Sequence, residues 1–295
     1  MKLCLGTVQF GMDYGLAQTK AMKVSDAVSC IDYAVQNGVS AIDTSPAYGY
    51  AESIVGEFLK KKTVLRGDLF ISDKLYPELP EFKSESELKS EIFRRIDRSL
   101  LTLNTDYVDA YMFHTSAYAL RPELLQALYA VKEQGKARMV GVSVYTPEEA
   151  LACCESEYAG LLQIPYSILD RRMKEAGVLD CAPKMTFQAR SAFIQGLIFM
   201  REAELPPYLQ KAAPIVNRIH ELCREYAISE EALAMGYVKK ESAISYLLFG
   251  AAGIEQIRSN IDAFNANLPD EVLNIAKAEF SGIDEDLYIP THWKK

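Results

Sequence analysis

Histidine is scarce in this sequence and its cysteines follow no pattern. The 295 residues hold three histidines, at 114, 220 and 292, and six cysteines, at 4, 30, 153, 154, 181 and 223, with no C-x-x-C pair. A zinc site needs closely spaced Cys and His ligands, so no metal site is expected. Unpatterned thiols fit a reduced state and a cytoplasmic location. Long basic runs are also missing: the largest clusters are Lys60-Lys61-Lys62 and Lys239-Lys240, and 40 acidic residues outnumber 32 basic ones, a net charge of −8. That balance argues against nucleic acid or an anionic membrane surface as a partner. No apolar run reaches the roughly 18 residues of a membrane span. The opening MKLCLGTVQFG has no hydrophobic stretch before Gly6, so it does not read as a signal peptide. There is no G-x-G-x-x-G, which removes the signature of a dinucleotide-binding Rossmann unit.

What remains is an ordinary globular composition, 49% hydrophobic with 16 Gly and 12 Pro, able to bury a large core. Short β-branched or apolar runs at 2–8, 41–44, 69–74, 108–113, 139–143, 161–164, 186–189 and 245–249 read as strands buried on both faces. Between them lie helical patterns. Val28, Ile31, Ala34 and Val35 recur at helical spacing before Asn37-Gly38, and Leu88, Ile92, Ile96 and Leu100 recur every four residues. Pro122 and Pro147 stand at favoured first helical positions. Eight strands alternating with helices predict a (β/α)8 TIM barrel of parallel strands, with 1–295 as a single domain. The spacing predicts a long insertion between strands 7 and 8, holding helices near 209–226 and 229–239 and acting as a lid or as a solvated embellishment. A last helix over 269–280 is expected outside the barrel, and a tail ending in His292-Trp293 is expected to dock on the surface or to close over a pocket.

A barrel of this kind keeps its active site at the C-terminal ends of the strands, and polar residues collect there. Strand 2 ends in Asp43, followed by Thr44-Ser45-Pro46-Ala47-Tyr48-Gly49; strand 3 ends Ser72-Asp73-Lys74; strand 4 ends Phe113-His114. Strands 5, 6 and 7 end in Ser143, around Gln163, and in Gln188-Ala189-Arg190-Ser191. Singly, each has a bland reading: a helix cap, a local ion pair, loop packing. Together, four complementary titratable groups from three consecutive strands reach one rim.

These segments resemble the catalytic motifs of the aldo-keto reductase superfamily: Asp43-x4-Tyr48-Gly49, Asp73-Lys74 and Phe113-His114. Gly6-Thr7 with Phe10-Gly11, Gly141-Val142-Ser143, Gln163-Ile164-Pro165-Tyr166-Ser167, Arg190-Ser191 with Gln195-Gly196, and Gly250-Ala251 through Gln256 to Asn260 follow in the family's order. The resemblance implies a nicotinamide-dependent enzyme that interconverts a small, sugar-like or other carbonyl compound and its alcohol. Its catalytic tetrad would be Asp43, Tyr48, Lys74 and His114. The resemblance implies cofactor contacts at Gly6, Thr7, Asp43, Ser143, Gln163, Arg190, Ser191, Gln195, Gly196, Leu197, Gly250, Ala251, Gln256 and Asn260. Tyr48 would supply the proton, with Lys74 lowering its pKa from about 10, Asp43 holding the lysine, and His114 polarising the carbonyl.

Three departures bear on the cofactor. Val144 follows Ser143 where the family often has Asn. Arg190 stands where many members stack a Tyr on the nicotinamide. The strand-8 loop Gly250-Ala251-Ala252-Gly253 lacks the Arg or Lys that usually grips a 2′-phosphate, and Gln256 stands where some members have Arg. NADP(H) is the family default, and NAD(H) is a live alternative. A non-catalytic nucleotide-binding sensor is the competing reading on the same fold; an unrelated barrel lyase or isomerase lacks a metal set or phosphate-binding glycines. The sequence assigns no oligomeric state.

Overall fold

A computed structural model describes residues 1–17 and 19–293. In chain order the first half runs β1 Lys2–Gly6, α1 Val8–Gly11, α2 Val24–Gln36, β2 Ala41–Asp43, α3 Ala51–Lys60, β3 Phe70–Leu75, α4 Glu85–Leu103, β4 Val108–Phe113 and α5 Pro122–Glu133. The second half runs β5 Ala137–Ser143, α6 Pro147–Glu155, β6 Leu161–Pro165, α7 Arg172–Glu175, β7 Thr186–Arg190, α8 Ala213–Glu225, α9 Glu230–Lys239, β8 Ile244–Gly250, α10 Ile254–Asn265, α11 Asp270–Glu279 and α12 Glu285–Tyr288. The eight strands form a closed barrel in sequence order, and β1 pairs in parallel with both β2 and β8. The expected parallel (β/α)8 barrel is the observed one.

The helices start and stop for local reasons. Ser84 accepts a hydrogen bond from the Glu87 N–H at the head of α4, whose last carbonyls are met by a left-handed Asn104. Thr146 and Glu149 form a reciprocal capping box on α6, and Ser229 caps α9. Two expected boundaries move. Strand 1 stops at Gly6 rather than residue 8, because the Phe10 N–H turns back to the Thr7 carbonyl and opens α1. The helix expected over 209–226 becomes a 3-10 turn over Pro207–Ala212 followed by α8, with Pro214 in the first turn of α8, where its missing N–H costs nothing.

The long interval between β7 and β8 is partly structural: α9 packs against β8 and α10 as a member of the outer helical layer. Tyr288, Ile289 and Trp293 of the tail are buried in the main core. Among the described residues no helix is long and apolar enough to cross a membrane.

Strand alternation decides what reaches the site. On β3, Ser72 and Lys74 meet Asp43 inside the barrel, while Asp73 between them meets Glu52 of α3 and Ser99 of α4 on the outside. Consecutive residues of one strand thus serve two separate polar clusters.

Candidate active site

Asp43 ends β2, Lys74 lies near the end of β3, and His114 follows β4, so adjacent strands deliver all three to one rim. Tyr48 comes from the loop between β2 and α3. Close backbone approach fixes that loop: a Cβ at Gly11 would lie 1.9 Å from the Tyr48 carbonyl oxygen, and one at Gly49 would lie 2.2 Å from the Gly11 oxygen. Gly49 also has φ +59°, a left-handed conformation natural to glycine.

The four side chains form one cluster. Lys74 Nζ donates to Asp43 Oδ2 at 2.5 Å and to the Thr44 carbonyl at 3.2 Å, and it lies 4.9 Å from the Tyr48 ring centre. The His114 ring meets the Tyr48 ring edge-on, with centroids 5.5 Å apart. Ser45 Oγ accepts from the Ala47 N–H at 3.1 Å and lies 3.3 Å from His114 Nδ1. Donation of the Ser45 hydroxyl to Nδ1 puts the ring proton on Nε2, where His114 can donate to a carbonyl oxygen.

Below this cluster the interior polar groups satisfy one another. Asp43 Oδ1 accepts from Ser72 Oγ at 2.9 Å and from Gln163 Nε2 at 2.8 Å. Gln163 also donates to Gln188 Oε1, Gln188 donates to Ser72 Oγ, and Ser143 Oγ donates to Gln163 Oε1 at 3.3 Å. Asp43 therefore serves three donors at once, which a carboxylate does and an amide does not. The Thr7 hydroxyl donates to the Asp43 carbonyl, and Gly6 pairs with both Asp43 and Gly250, so these residues brace β2.

The charges follow from burial. The Lys74 ammonium is pulled down by burial, but Asp43 and Tyr48 outweigh that loss and leave it above its ordinary value. Burial pushes Tyr48 up to about 12; Lys74 draws it down and Asp43 works against Lys74. The expectation that Lys74 brings the phenol below its usual range is therefore not met in the free protein, because desolvation of the phenolate exceeds the pull of an ammonium already paired with Asp43. His114 is lowered to about 4, first by burial and then by Lys74, and is neutral at physiological pH.

A pH dependence follows. The folded protein keeps His114 uncharged, whereas the unfolded chain protonates it near 6.5. Its contribution is therefore full above that pH and is lost as pH falls from about 6.5 towards 4. Comparing wild type with His114→Gln by denaturant titration at pH 7 and pH 4.5 should show the gap between them shrinking or reversing in acid. A gap independent of pH would contradict a neutral His114.

The residues proposed for a dinucleotide fall in two further groups. After β7, Ser191, Ile194, Gln195 and Gly196 all have positive φ, a curled backbone in which the Ile194 and Gly196 N–H groups donate to the Ser191 and Phe193 carbonyls. Leu197 in the same turn is buried in the core. Arg190 does not lie free: its guanidinium sits 4.2 Å from the Tyr145 ring, donates to the Val144 carbonyl at 2.9 Å and lies 3.2 Å from Ser191 Oγ. The second group surrounds the head of α10. A cavity of about 450 Å³ there is lined by Asp26, Ser29, Cys30, Gly253, Glu255 and Gln256 among others. Added atoms on Gly253 would meet nothing, while Gln256 Oε1 accepts from the Ala252 N–H and ties the loop. Ala251 and Asn260 are buried, Asn260 Nδ2 reaches the Gly250 carbonyl, and Asn260 Oδ1 has no partner. Curled loop, open glycine, cavity and orphaned amide together fit an elongated nucleotide.

Several participants receive no role from the sequence, although Ser45, Ser72 and Gln188 are visible there as rim residues. Ser72 and Gln188 share a face with Lys74 and Arg190 two residues away, so strand alternation could have found them. Ser45 and Tyr145 carry no spacing signal. Neither does Tyr14, whose phenol is raised by burial and feels Arg190 and Lys74 across the barrel mouth.

Known proteins bear out the architecture. The family model for the aldo/keto reductase family matches residues 2–278. The chain is 27% identical over 285 residues to the NADH-specific methylglyoxal reductase of Escherichia coli K12, covering 83% of this chain and 85% of that protein. It is 23% identical to the L-glyceraldehyde 3-phosphate reductase of the same strain, covering 97% and 90%. Among solved structures, the holo form of aldo-keto reductase AKR11C1 from Bacillus halodurans superposes with a TM-score of 0.76 at 22% identity, covering 97% of this chain and 95% of that one. With a model match over nearly its whole length on a closed parallel barrel, the chain belongs to the aldo/keto reductase family and is an oxidoreductase.

Proposed function

We propose that this protein, one barrel domain over 1–295, is a cytoplasmic NAD(H)-dependent reductase of small oxygenated carbonyl compounds. The observation that carries the reading is the convergence of three groups on one rim: the half-buried Tyr48 ring, the Lys74 ammonium 4.9 Å from its centre, and a neutral His114 edge-on to it. A bound nicotinamide would supply hydride to the carbonyl carbon. Tyr48 holds the proton for the oxygen, His114 donates a hydrogen bond that orients and polarises the carbonyl, and Lys74 stabilises the phenolate left behind. Asp43 keeps Lys74 aimed and compensates its charge. The relatives named for methylglyoxal and glyceraldehyde 3-phosphate support a small substrate, and six free thiols suit a reducing compartment.

The preference for NAD(H) over NADP(H) rests on charge. The cavity at the head of α10 presents Asp26 and Glu255. A cation on α10, Arg258, is already engaged: it pairs with Glu255 at 3.0 Å and donates to the Tyr33 hydroxyl. A 2′-phosphate would gain no charge-assisted bond and would face two carboxylates; such a bond is worth about 1.5–3 kcal/mol, or about ten- to a hundredfold in affinity. Fluorescence titration should therefore show NADH binding at least about tenfold more tightly than NADPH, and Glu255→Arg should narrow or invert the ratio. Equal or tighter NADPH binding by wild type would overturn the preference.

A further inference from the structure

Behind the catalytic lysine, outside the barrel wall, two acids are buried against each other. Asp73 immediately precedes Lys74 on β3 and is fully buried; Glu52 lies in the first turn of α3, four residues after Tyr48, and is 9% exposed. Neither Asp73 carboxyl oxygen nor Glu52 Oε1 has a well-formed hydrogen bond, although Ser99 and the Lys74 N–H come near Asp73, and the Asp73 and Glu52 carboxyl groups come within hydrogen-bonding reach of each other. Two carboxylates in such contact repel, and each would be desolvated without compensation.

The surroundings offer little relief. From α4, Ser99 approaches both acids, Arg98 reaches Glu52 only through its charge, and Arg95 is held by Glu91 and the Tyr76 carbonyl. From β4, the buried Tyr111 hydroxyl faces the pair and has no partner of its own. From β3, Lys74 directs its ammonium inward to Asp43; its backbone N–H approaches Asp73 and its charge acts there more weakly. Burial, and then the neighbouring carboxyl, hold Asp73 well above the usual carboxylate range; burial also raises Glu52.

We propose that Asp73 and Glu52 share one proton, and that this hydrogen-bonded carboxyl pair is a positioning device clamping the strand of Lys74 to the helix that follows Tyr48. The inference rests on the proposed roles of Lys74 and Tyr48 only for its catalytic consequence; the shared proton stands independently of them. A proton-sharing pair is stable only while it keeps its proton. Asp73 has a raised folded value, so the clamp is intact below the ordinary carboxylate range and is lost as pH rises through that raised value.

The test compares wild type with Asp73→Asn, whose amide donates to the Glu52 carboxylate with no proton needed, and with Glu52→Gln as a second variant should the first fail to fold. While the folded form holds one proton more than the unfolded chain, the unfolding constant of wild type should rise about tenfold per pH unit relative to either variant. Denaturant titrations between pH 5 and pH 9 read this without turnover. The positioning role predicts that kcat for carbonyl reduction falls in alkali as the clamp loses its proton, that this fall moves to higher pH in Asp73→Asn, and that Asp73→Ala, which orphans Glu52, loses about tenfold or more in kcat with nucleotide affinity unchanged. Parallel stability profiles in wild type and both amide variants would overturn the shared proton. Altered stability profiles with an unmoved kcat profile would overturn the positioning role. Loss of the Tyr48 assignment would show instead as retained turnover in Tyr48→Phe, leaving the proton linkage untouched.

Discussion

Tyr48→Phe should reduce carbonyl turnover by about 10²- to 10⁴-fold, the usual worth of a positioned acid, while nucleotide affinity stays within about twofold of wild type. The substitution removes one oxygen and keeps the ring that packs edge-on against His114 and beneath the Lys74 ammonium. The substitution leaves the cavity at the head of α10 and the curled loop after β7 unchanged in sequence, so binding and chemistry should separate. The raised Tyr48 value adds a directional expectation. A phenol near 12 is protonated throughout the physiological range and ready to donate. Acting as a base on an alcohol, it must first lose that proton. Alcohol oxidation should therefore rise steeply with pH above neutrality, while reduction does not, as parallel initial-rate profiles would show. Oxidation that is flat with pH, or Tyr48→Phe turnover near the wild-type rate, would exclude Tyr48 as the proton-transfer group.

Asp43→Ala should be the most destabilising change at the site. It leaves the Lys74 ammonium, itself fully buried, without its anion and deprives Ser72 and Gln163 of their shared acceptor. Removing one partner of a buried pair costs about 3–5 kcal/mol, a large share of the roughly 5–15 kcal/mol that holds a domain folded. The sign with pH is definite. Lys74 is held above its ordinary value of 10.5, so the pair contributes fully below that value and is lost only in stronger alkali. At neutral pH the whole penalty should appear as a lower denaturant midpoint with an unchanged slope. Asp43→Asn keeps the shape and one acceptor oxygen and should lose less. An unchanged midpoint in Asp43→Ala would mean that Lys74 is not paired as described.

Much of this is legible in the sequence alone. Strands buried on both faces leave short continuous apolar runs, and eight of them separated by helical periodicities admit few topologies. The rim was legible for the same reason: Asp43, Lys74 and His114 each end such a run, and strands in a closed parallel barrel end at the same face. What could not be read was anything set by packing across the barrel. Lys74 has two opposing influences on Tyr48, its own charge and its neutralisation by Asp43, and only the depth of burial decides between them. Arg190 could have stacked on a ligand, yet it lies on Tyr145 and bonds to the Val144 carbonyl, a contact 46 residues away in sequence. Arg258, close to the strand-8 loop in sequence, is engaged by Glu255 and by Tyr33 from α2, partners that spacing does not reveal. Asp73 was visible only as the neighbour of Lys74; the outward face that buries it against Glu52 depends on where α3 packs.

In the proposed reaction this barrel passes hydride from a nicotinamide to a carbonyl carbon, with Tyr48 supplying the proton. The most direct measurement follows deuterium from NADH labelled at nicotinamide C4 into the product of methylglyoxal or glyceraldehyde 3-phosphate reduction, in wild type and in Tyr48→Phe. The account predicts deuterium on the new carbinol carbon with wild type and almost none with the variant, although both bind the nucleotide. Tight nucleotide binding with no label delivered to either compound or to other small aldehydes would contradict it and favour a nucleotide-sensing role; equal labelling by both proteins would contradict the role of Tyr48.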